Sequence, residues 1–383
     1  VLNIESAGTI KALWPGGNVD DILFKPLKIG TMRLKNRLVR SATSERAADS
    51  HGIVQDGMIK MYEELAKGGA GLVITGYAYV HPSGRCGAQQ TGIHSDSVVP
   101  RLKKLTDAFH RASSGGKIAL QLVHGGRQAG PSLVKEVLAP SEIPIGTVYP
   151  REMREDEIQD VIEAFADAAG RAMDAGFDAV QLHGAHGFLI SQFLSPYTNH
   201  RSDQWGGSPE GRWRFFFHVI RRIRQKAGDK LPLLAKVNGS DFLKDQGLNP
   251  DEVALMLPRA QGLGLDAVEI SGGMSDTPQG LTATRNGIKK PADEAYFLPQ
   301  ARVIKKSLQI PLILVGGIRS AHVARKIIED GDADAVAMCR PFLQEPDLPS
   351  RWMKGLTQTR CDSCISCLSQ MGDVEECIRE SGG

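Results

Sequence analysis

The sequence predicts an α/β fold of one domain, a (β/α)8 TIM barrel with long loops after its third and fourth strands and a cysteine-rich C-terminal tail. Three observations predict it. Eight short runs of β-branched and aliphatic residues recur along the chain, with helix-like segments between them. The runs are almost continuously apolar, as parallel strands covered on both faces must be. No G-x-G-x-x-G follows any of them, so an open sheet built around a dinucleotide fingerprint lacks its own mark. Eight strand–helix units on one chain suit a closed barrel better than an open sheet.

The strands are expected at residues 38–43, 72–75, 118–122, 179–182, 233–237, 267–270, 312–315 and 335–338. The clearest helix is expected at residues 156–175. There Ile158, Val161, Ile162, Phe165, Ala169, Ala172 and Met173 fall at helical spacing, and Gly176 ends the run. The same plan recurs with a helix over 249–263 before the sixth strand and one over 321–330 before the eighth. The long loops are expected at 125–151 and 183–212, and such loops carry function more often than short ones. This divides the chain into an N-terminal extension (1–22), the barrel (23–352) and the tail (353–383).

Composition excludes several classes. A chain of 383 residues can bury a large core without disulfide staples. The formal net charge of +2 points neither to nucleic acid nor to a membrane surface. The apolar runs are strand-length, too short to span a bilayer. The first residues show no basic region followed by an apolar core, so no signal peptide is read there. Four of the six cysteines (Cys361, Cys364, Cys367 and Cys377) crowd the tail. That spread suits a reducing, cytoplasmic setting and raises the question of a metal or cluster.

A (β/α)8 barrel binds its ligand at the carboxyl ends of its strands. Those addresses hold Ser41, Ala42 and Thr43 after the first strand, Gly76 after the second, and Gln121 and His124 at the third. His183 and His186 end the fourth, and Lys236 lies on the fifth. Gly316 and Gly317 end the seventh, and Cys339 and Arg340 end the eighth. Two glycines let backbone amides approach a ligand, and an arginine fork suits phosphate, so this group reads as a phosphate cup. The plainer reading is a turn, with Arg340 paired to a surface carboxylate. Lys236, on an apolar strand, needs an anionic or electron-rich partner. A flavin pyrimidine edge would serve, and so would an internal carboxylate. Gln121 offers the donors and acceptor that such an edge requires. His183 and His186 form H-x-x-H with no third ligand in view, so they read as two donors for a substrate carbonyl or nitro oxygen, or as structural histidines.

These residues sit within stretches that resemble a known family. HGAHGFLISQFLSPYTNHRSDQWGGSPEGRWRFF, starting at His183, is similar to the signature of Old Yellow Enzyme-like NAD(P)H:flavin oxidoreductases. So are LFKPLKIGTMRLKNRLVRSAT (23–43), QLVHGGR (121–127), LAPSEIP (138–144) and DADAVAMCRPFLQEPDLP at the eighth strand. The match runs from about residue 23 to 352 and resembles most the bacterial branch related to 2,4-dienoyl-CoA reductase and trimethylamine dehydrogenase.

The resemblance implies an FMN cofactor reduced by NAD(P)H. It places Ala42 and Thr43 beside the ring, with Thr43 near N5 or O4, and Gly76 and Gln121 on the pyrimidine side. Lys236 falls near N1 and O2. Gly317, Cys339 and Arg340 fall on the phosphate, and His183 and His186 on the substrate oxygen. The implied reaction is hydride transfer to an enone, enal, dienoyl thioester or nitro compound. The implied molecule is a homo-oligomer, a dimer or tetramer, acting on a small electrophile. Two departures stand out. The family's usual tyrosine proton donor is Phe188 here, and Phe cannot donate a proton. The tail cysteines resemble a run that binds a 4Fe-4S cluster in longer relatives, and four thiolates at such spacing suit a cluster or zinc. Two rival functions follow: an amine-type dehydrogenase passing electrons through such a cluster, and a flavin- or ligand-binding barrel without turnover.

Overall fold

The computed structural model of the protein describes residues 21–364 and Cys367. Eight strands form its centre: β1 (Leu38–Arg40), β2 (Leu72–Tyr79), β3 (Lys117–Val123), β4 (Ala179–Gly184), β5 (Leu233–Asn238), β6 (Ala267–Ser271), β7 (Leu312–Leu314) and β8 (Ala335–Met338). Each pairs in parallel with the next, and β8 closes the ring on β1 through Val336–Leu38, Ala337–Val39 and Met338–Arg40. All eight expected strands are present in a closed barrel, as the sequence predicts.

Their ends differ from expectation. β1 stops at Arg40, so Ser41 to Thr43 lie past the strand, and β7 stops at Leu314. β2 runs on to Tyr79, past a register shift between Ile74 and Tyr77. The shift has a visible cause. The Gly76 N–H leaves the ladder to bond the Glu45 carboxylate, and a Cβ at Gly76 would fall 2.4 Å from the Thr43 carbonyl oxygen.

Helices follow the strands: α1 (Asp56–Lys67), α2 (Val99–Ala112), α3 (Glu155–Asp174), α4 (Leu189–Leu194), α5 (Pro209–Ala227), α6 (Pro250–Gly262), α7 (Leu298–Lys305) and α8 (Ala321–Glu329). The three helices expected from periodicity are α3, α6 and α8, each within a residue of its expected ends. α3 begins where Glu157 accepts the Arg154 N–H at 2.8 Å, and it ends before Gly176 at φ +82°. Its expected apolar stripe is buried except for Met173, which is 39% exposed. Pro209 starts α5 inside the expected long loop, with the Ser208 hydroxyl accepting the Gly211 N–H at 3.2 Å. Among the described residues no helix is long and apolar enough to cross a membrane.

The strand period of two sorts each side chain inward or outward. Outward residues such as Leu120, Leu122, Val180, Leu182, Val268 and Ile270 pack against the helices in the larger core. Inward residues at the lower end are Val39, Leu72, Ala119, Ala179, Leu234, Ala267, Ile313 and Ala335, a small apolar cluster. A hairpin of Leu27–Ile29 and Met32–Leu34 adds Ile29, Met32 and Leu34 to that cluster and stoppers the barrel floor. Its turn depends on Gly30 at φ +54°, where a Cβ would stand 2.7 Å from the Asp266 carboxylate. Moving up the strands, the inward positions turn polar, and the floor thereby sets which end is chemical.

Candidate active site

The upper inward layer is one connected polar network. Gln121 and Gln181 face each other across β3 and β4, and Lys236 and Glu269 face each other across β5 and β6. Gln121 Nε2 donates to Gln181 Oε1 at 2.7 Å, and Gln181 Nε2 donates to Glu269 Oε2 at 2.8 Å. The Ser41 hydroxyl donates to Glu269 Oε1 at 2.6 Å and accepts from Lys236 Nζ at 2.8 Å. Lys236 Nζ also stands 3.2 Å from Glu269 Oε1. All five residues are buried. The internal carboxylate weighed for Lys236 is therefore present, and Ser41 commits its hydroxyl to it rather than to a ligand. One strong acceptor is left over. Gln121 Oε1 is buried without a partner among the described residues, a state that costs about 1–3 kcal/mol unless a ligand donates to it.

The histidines stand above this layer. His183 points inward from β4, in register with Lys236. His186 takes φ +60°, unusual for a residue with a Cβ. Three contacts hold it there: its N–H bonds Asn238 Oδ1 at 3.1 Å, its carbonyl accepts from Gln128 Nε2 at 2.9 Å, and its Nε2 meets the Ser271 hydroxyl at 2.7 Å. The two rings lie 5.1 Å apart and almost perpendicular. Burial, then the neighbouring His186 and Lys236, hold the His183 imidazolium far out of reach. Burial and Lys236 bring His186 down to about 3. Both rings are thus neutral near pH 7, each with one N–H to give. Among the described residues no group of three His, Cys, Asp or Glu side chains is arranged to hold a metal ion.

Phe188 caps the start of α4, and its ring lies 4.5 Å from that of His183. Beside it stands Tyr77, with ring centroids 5.2 Å from Phe188 and 6.1 Å from His183. Burial pushes the Tyr77 phenol up to about 12.

At the other end of the rim, Gly317, Cys339 and Arg340 border a cavity of about 70 Å³, with Tyr296 and Ser363 on its far wall. Gly317 sits at φ +71°, where a side chain would run into Tyr296. Gly316 lies outside the lining and makes room for Phe297 instead. The Arg340 guanidinium bonds the Ser363 carbonyl at 3.1 Å, not the surface carboxylate weighed from the sequence. Thr43 bridges the two ends, its hydroxyl 2.8 Å from Cys339 Sγ. Ala42, before it, is half-buried and packs against the floor cluster. Ser363, from the described part of the tail, therefore forms part of the wall of this cavity. Cys361, Cys364 and Cys367 are among the described residues, and Cys377 lies outside them.

The structure thus brings Thr43, Gln121, Lys236, His183, His186, Gly317, Cys339 and Arg340 to one rim. His124 is turned aside, bonded through Nε2 to Ser83 at 2.9 Å. Reading the sequence missed Gln181, Glu269, Ser271, Asn238 and Tyr77. For the first four the signal was available: a polar residue in a short apolar strand, at the parity of Lys236, faces inward; Tyr77 follows the β2 register shift, which parity does not foresee.

A closed parallel barrel with a polar rim at the carboxyl ends of its strands is a frame for ligand binding. The chain matches the model of the NADH:flavin oxidoreductase / NADH oxidase family over residues 22–359, and it belongs to that family. It is 36% identical to a protein named NADH oxidase from Thermoanaerobacter brockii, over 90% of this chain and 52% of the relative. It is 33% identical to an NADPH dehydrogenase from Geobacillus sp., over 89% of this chain and 96% of the relative. Among solved structures, a 2-naphthoyl-CoA reductase aligns with TM-score 0.80 and 31% identity, covering 87% of this chain and 52% of the other. Morphinone reductase aligns with TM-score 0.74 and 26% identity, covering 88% and 92%. The chain spans about half the length of the first two curated relatives it matches.

Proposed function

We propose that the protein is an FMN-dependent NAD(P)H oxidoreductase that reduces activated C=C bonds, as in enones, enals and dienoyl thioesters, or nitro groups. The observation that carries this reading is the His183/His186 pair, its rings 5.1 Å apart, fixed at the mouth of a barrel whose upper layer offers Lys236 and a Gln121 oxygen without a partner among the described residues. FMN fits these residues. Gln121 Oε1 suits the N–H of its pyrimidine edge, Lys236 suits the electron-rich N1/O2 side, and Gly317, Cys339 and Arg340 suit its phosphate. Ala42, Thr43 and Gly76 would line the ring. When bound, FMN supplies two-electron chemistry, taking hydride from NAD(P)H and giving it up at N5.

The chain's own residues supply the rest. His183 and His186 hold the substrate oxygen by hydrogen bonds that strengthen as negative charge gathers there. Because both rings are neutral, they donate without releasing a proton to that oxygen. Glu269 balances Lys236, so the barrel interior carries no net charge from this pair. Relatives named NADPH dehydrogenase and 2-naphthoyl-CoA reductase support the reductant and the thioester class respectively.

Anaerobic stopped-flow tests the reading. Enzyme bleached by NAD(P)H is expected to regain its flavin colour on mixing with cyclohexenone, a dienoyl-CoA or a nitro compound. Failure with all three overturns it. The second reading, an amine-type dehydrogenase feeding a tail cluster, draws on the Cys361, Cys364, Cys367 and Cys377 run. Iron and labile sulfide in anaerobically purified protein, with amine-driven bleaching, would favour it instead.

A further inference from the structure

We propose that Tyr77 is the acid that protonates the substrate α-carbon, in place of the tyrosine that Phe188 replaces. The inference rests on the reading of the site as a reducer of activated C=C bonds. Such a reduction needs two hydrogens of opposite character. Hydride bonds to the β-carbon, the C=C π pair moves toward the oxygen, and an enolate results. The enolate pair must then form a C–H bond at the α-carbon with a proton from a nearby acid. His183 and His186 are engaged with the oxygen, and Phe188 has no proton to give.

The chain has six tyrosines: Tyr62, Tyr77, Tyr79, Tyr149, Tyr197 and Tyr296. Tyr62 is buried beneath the rim on Glu45, and Tyr79 stacks on His94. Tyr149 is 80% exposed, and Tyr296 donates to the Ala283 carbonyl beside the phosphate cavity. Tyr197 belongs to the loop after α4. Among the described ring contacts, Tyr77 alone meets both His183 and Phe188. It reaches that place from a different strand, because the β2 register shift just before it carries the chain past the rim. Burial keeps the phenol protonated at neutral pH, as an acid must be before it acts. The one thiol nearby, Cys86, is directed at the Gly84 carbonyl, 3.5 Å away. In the step itself the Tyr77 O–H bond breaks, the proton bonds to the α-carbon, and the tyrosinate recovers a proton from water. The reductant is the hydride that NAD(P)H supplies through the flavin.

The test compares holoenzyme with Tyr77→Phe and with Tyr77→Phe/Phe188→Tyr. The substrates are carvone, whose α-carbon becomes a stereocentre, and benzoquinone, which needs no proton on carbon. In Tyr77→Phe, reoxidation of reduced enzyme by carvone is expected to slow by about a hundredfold, the usual worth of a positioned acid. Benzoquinone reoxidation, bleaching by NAD(P)H and the Kd for p-hydroxybenzaldehyde are expected to change less than about twofold, a small effect on the scale of general-acid catalysis. The diastereomer ratio of the carvone product is expected to fall toward unity, which a merely structural role would not produce. Phe188→Tyr in that background is expected to restore both rate and ratio. Unchanged carvone reoxidation and product ratio in Tyr77→Phe overturn this proposal alone. Wild-type enzyme that benzoquinone reoxidises but no enone does overturns the reading of the site and this proposal with it.

Discussion

At the level of single residues, burial decides the protonation of the histidines, and so gives the fold a dependence on pH. His124 is brought down to about 3, chiefly by burial and then by His81. His183 and His186 are lowered for the same first reason. The unfolded chain binds a proton at each near the ordinary histidine value, while the folded chain does not. Stability from these groups is therefore complete above about pH 6.5 and falls as pH drops toward the folded values. For His124 the slope is about 1.4 kcal/mol per pH unit across that window. Urea unfolding at pH 7 and pH 5 is expected to show the loss, and His124→Gln is expected to lessen it, with the shares of His183 and His186 remaining. The Ser271 hydroxyl sets which His186 nitrogen faces a ligand. Ser271→Ala is expected to weaken p-hydroxybenzaldehyde binding by about tenfold, roughly one charge-free hydrogen bond, as read by a flavin difference spectrum.

Secondary-structure elements carry the next level of argument, because β3, β4, β5 and β6 each set a polar inward residue (Gln121, Gln181, Lys236, Glu269) above an apolar one (Ala119, Ala179, Leu234, Ala267). β5 and β6 bring Lys236 and Glu269 together with both side chains almost wholly out of water. Removing one partner strands the other charge. Glu269→Gln is expected to destabilise the fold by about 3 kcal/mol, and Lys236→Met in the same chain to recover most of it. Denaturant midpoints of the two variants decide this. The N-terminal hairpin is an element that hydrophobic periodicity over longer windows passes by. Its strands are three residues each, yet Leu34 is wholly buried in the floor cluster. Leu34→Ala is expected to cost about 2–5 kcal/mol, visible as a lowered Tm.

The whole molecule appears in the ring closure of β8 on β1. Residues separated by up to three hundred positions meet at one rim because the ring closes there, and Ser363 reaches the cavity through its bond with Arg340. Arg340→Ala is expected to lower FMN affinity about ten- to a hundredfold, the range for losing a charge-assisted bond to phosphate. Titration of apoprotein by flavin fluorescence measures it. A barrel that stays colourless after incubation with FMN would remove the cofactor assignment altogether.

Strand number, fold class, the three strongest helices and the rim addresses of His183, His186, Lys236 and Arg340 were legible in the amino-acid order. Apolar runs, helical spacing and the position of a residue after a strand are local properties, so one chain segment suffices to show them. Partnerships were not legible. That Lys236 meets Glu269, that Arg340 meets the tail carbonyl, and that Tyr77 comes to lie against Phe188 depend on the barrel's closure and on one register shift in β2. Such contacts join segments far apart along the chain, and their geometry exists only once the ring is shut.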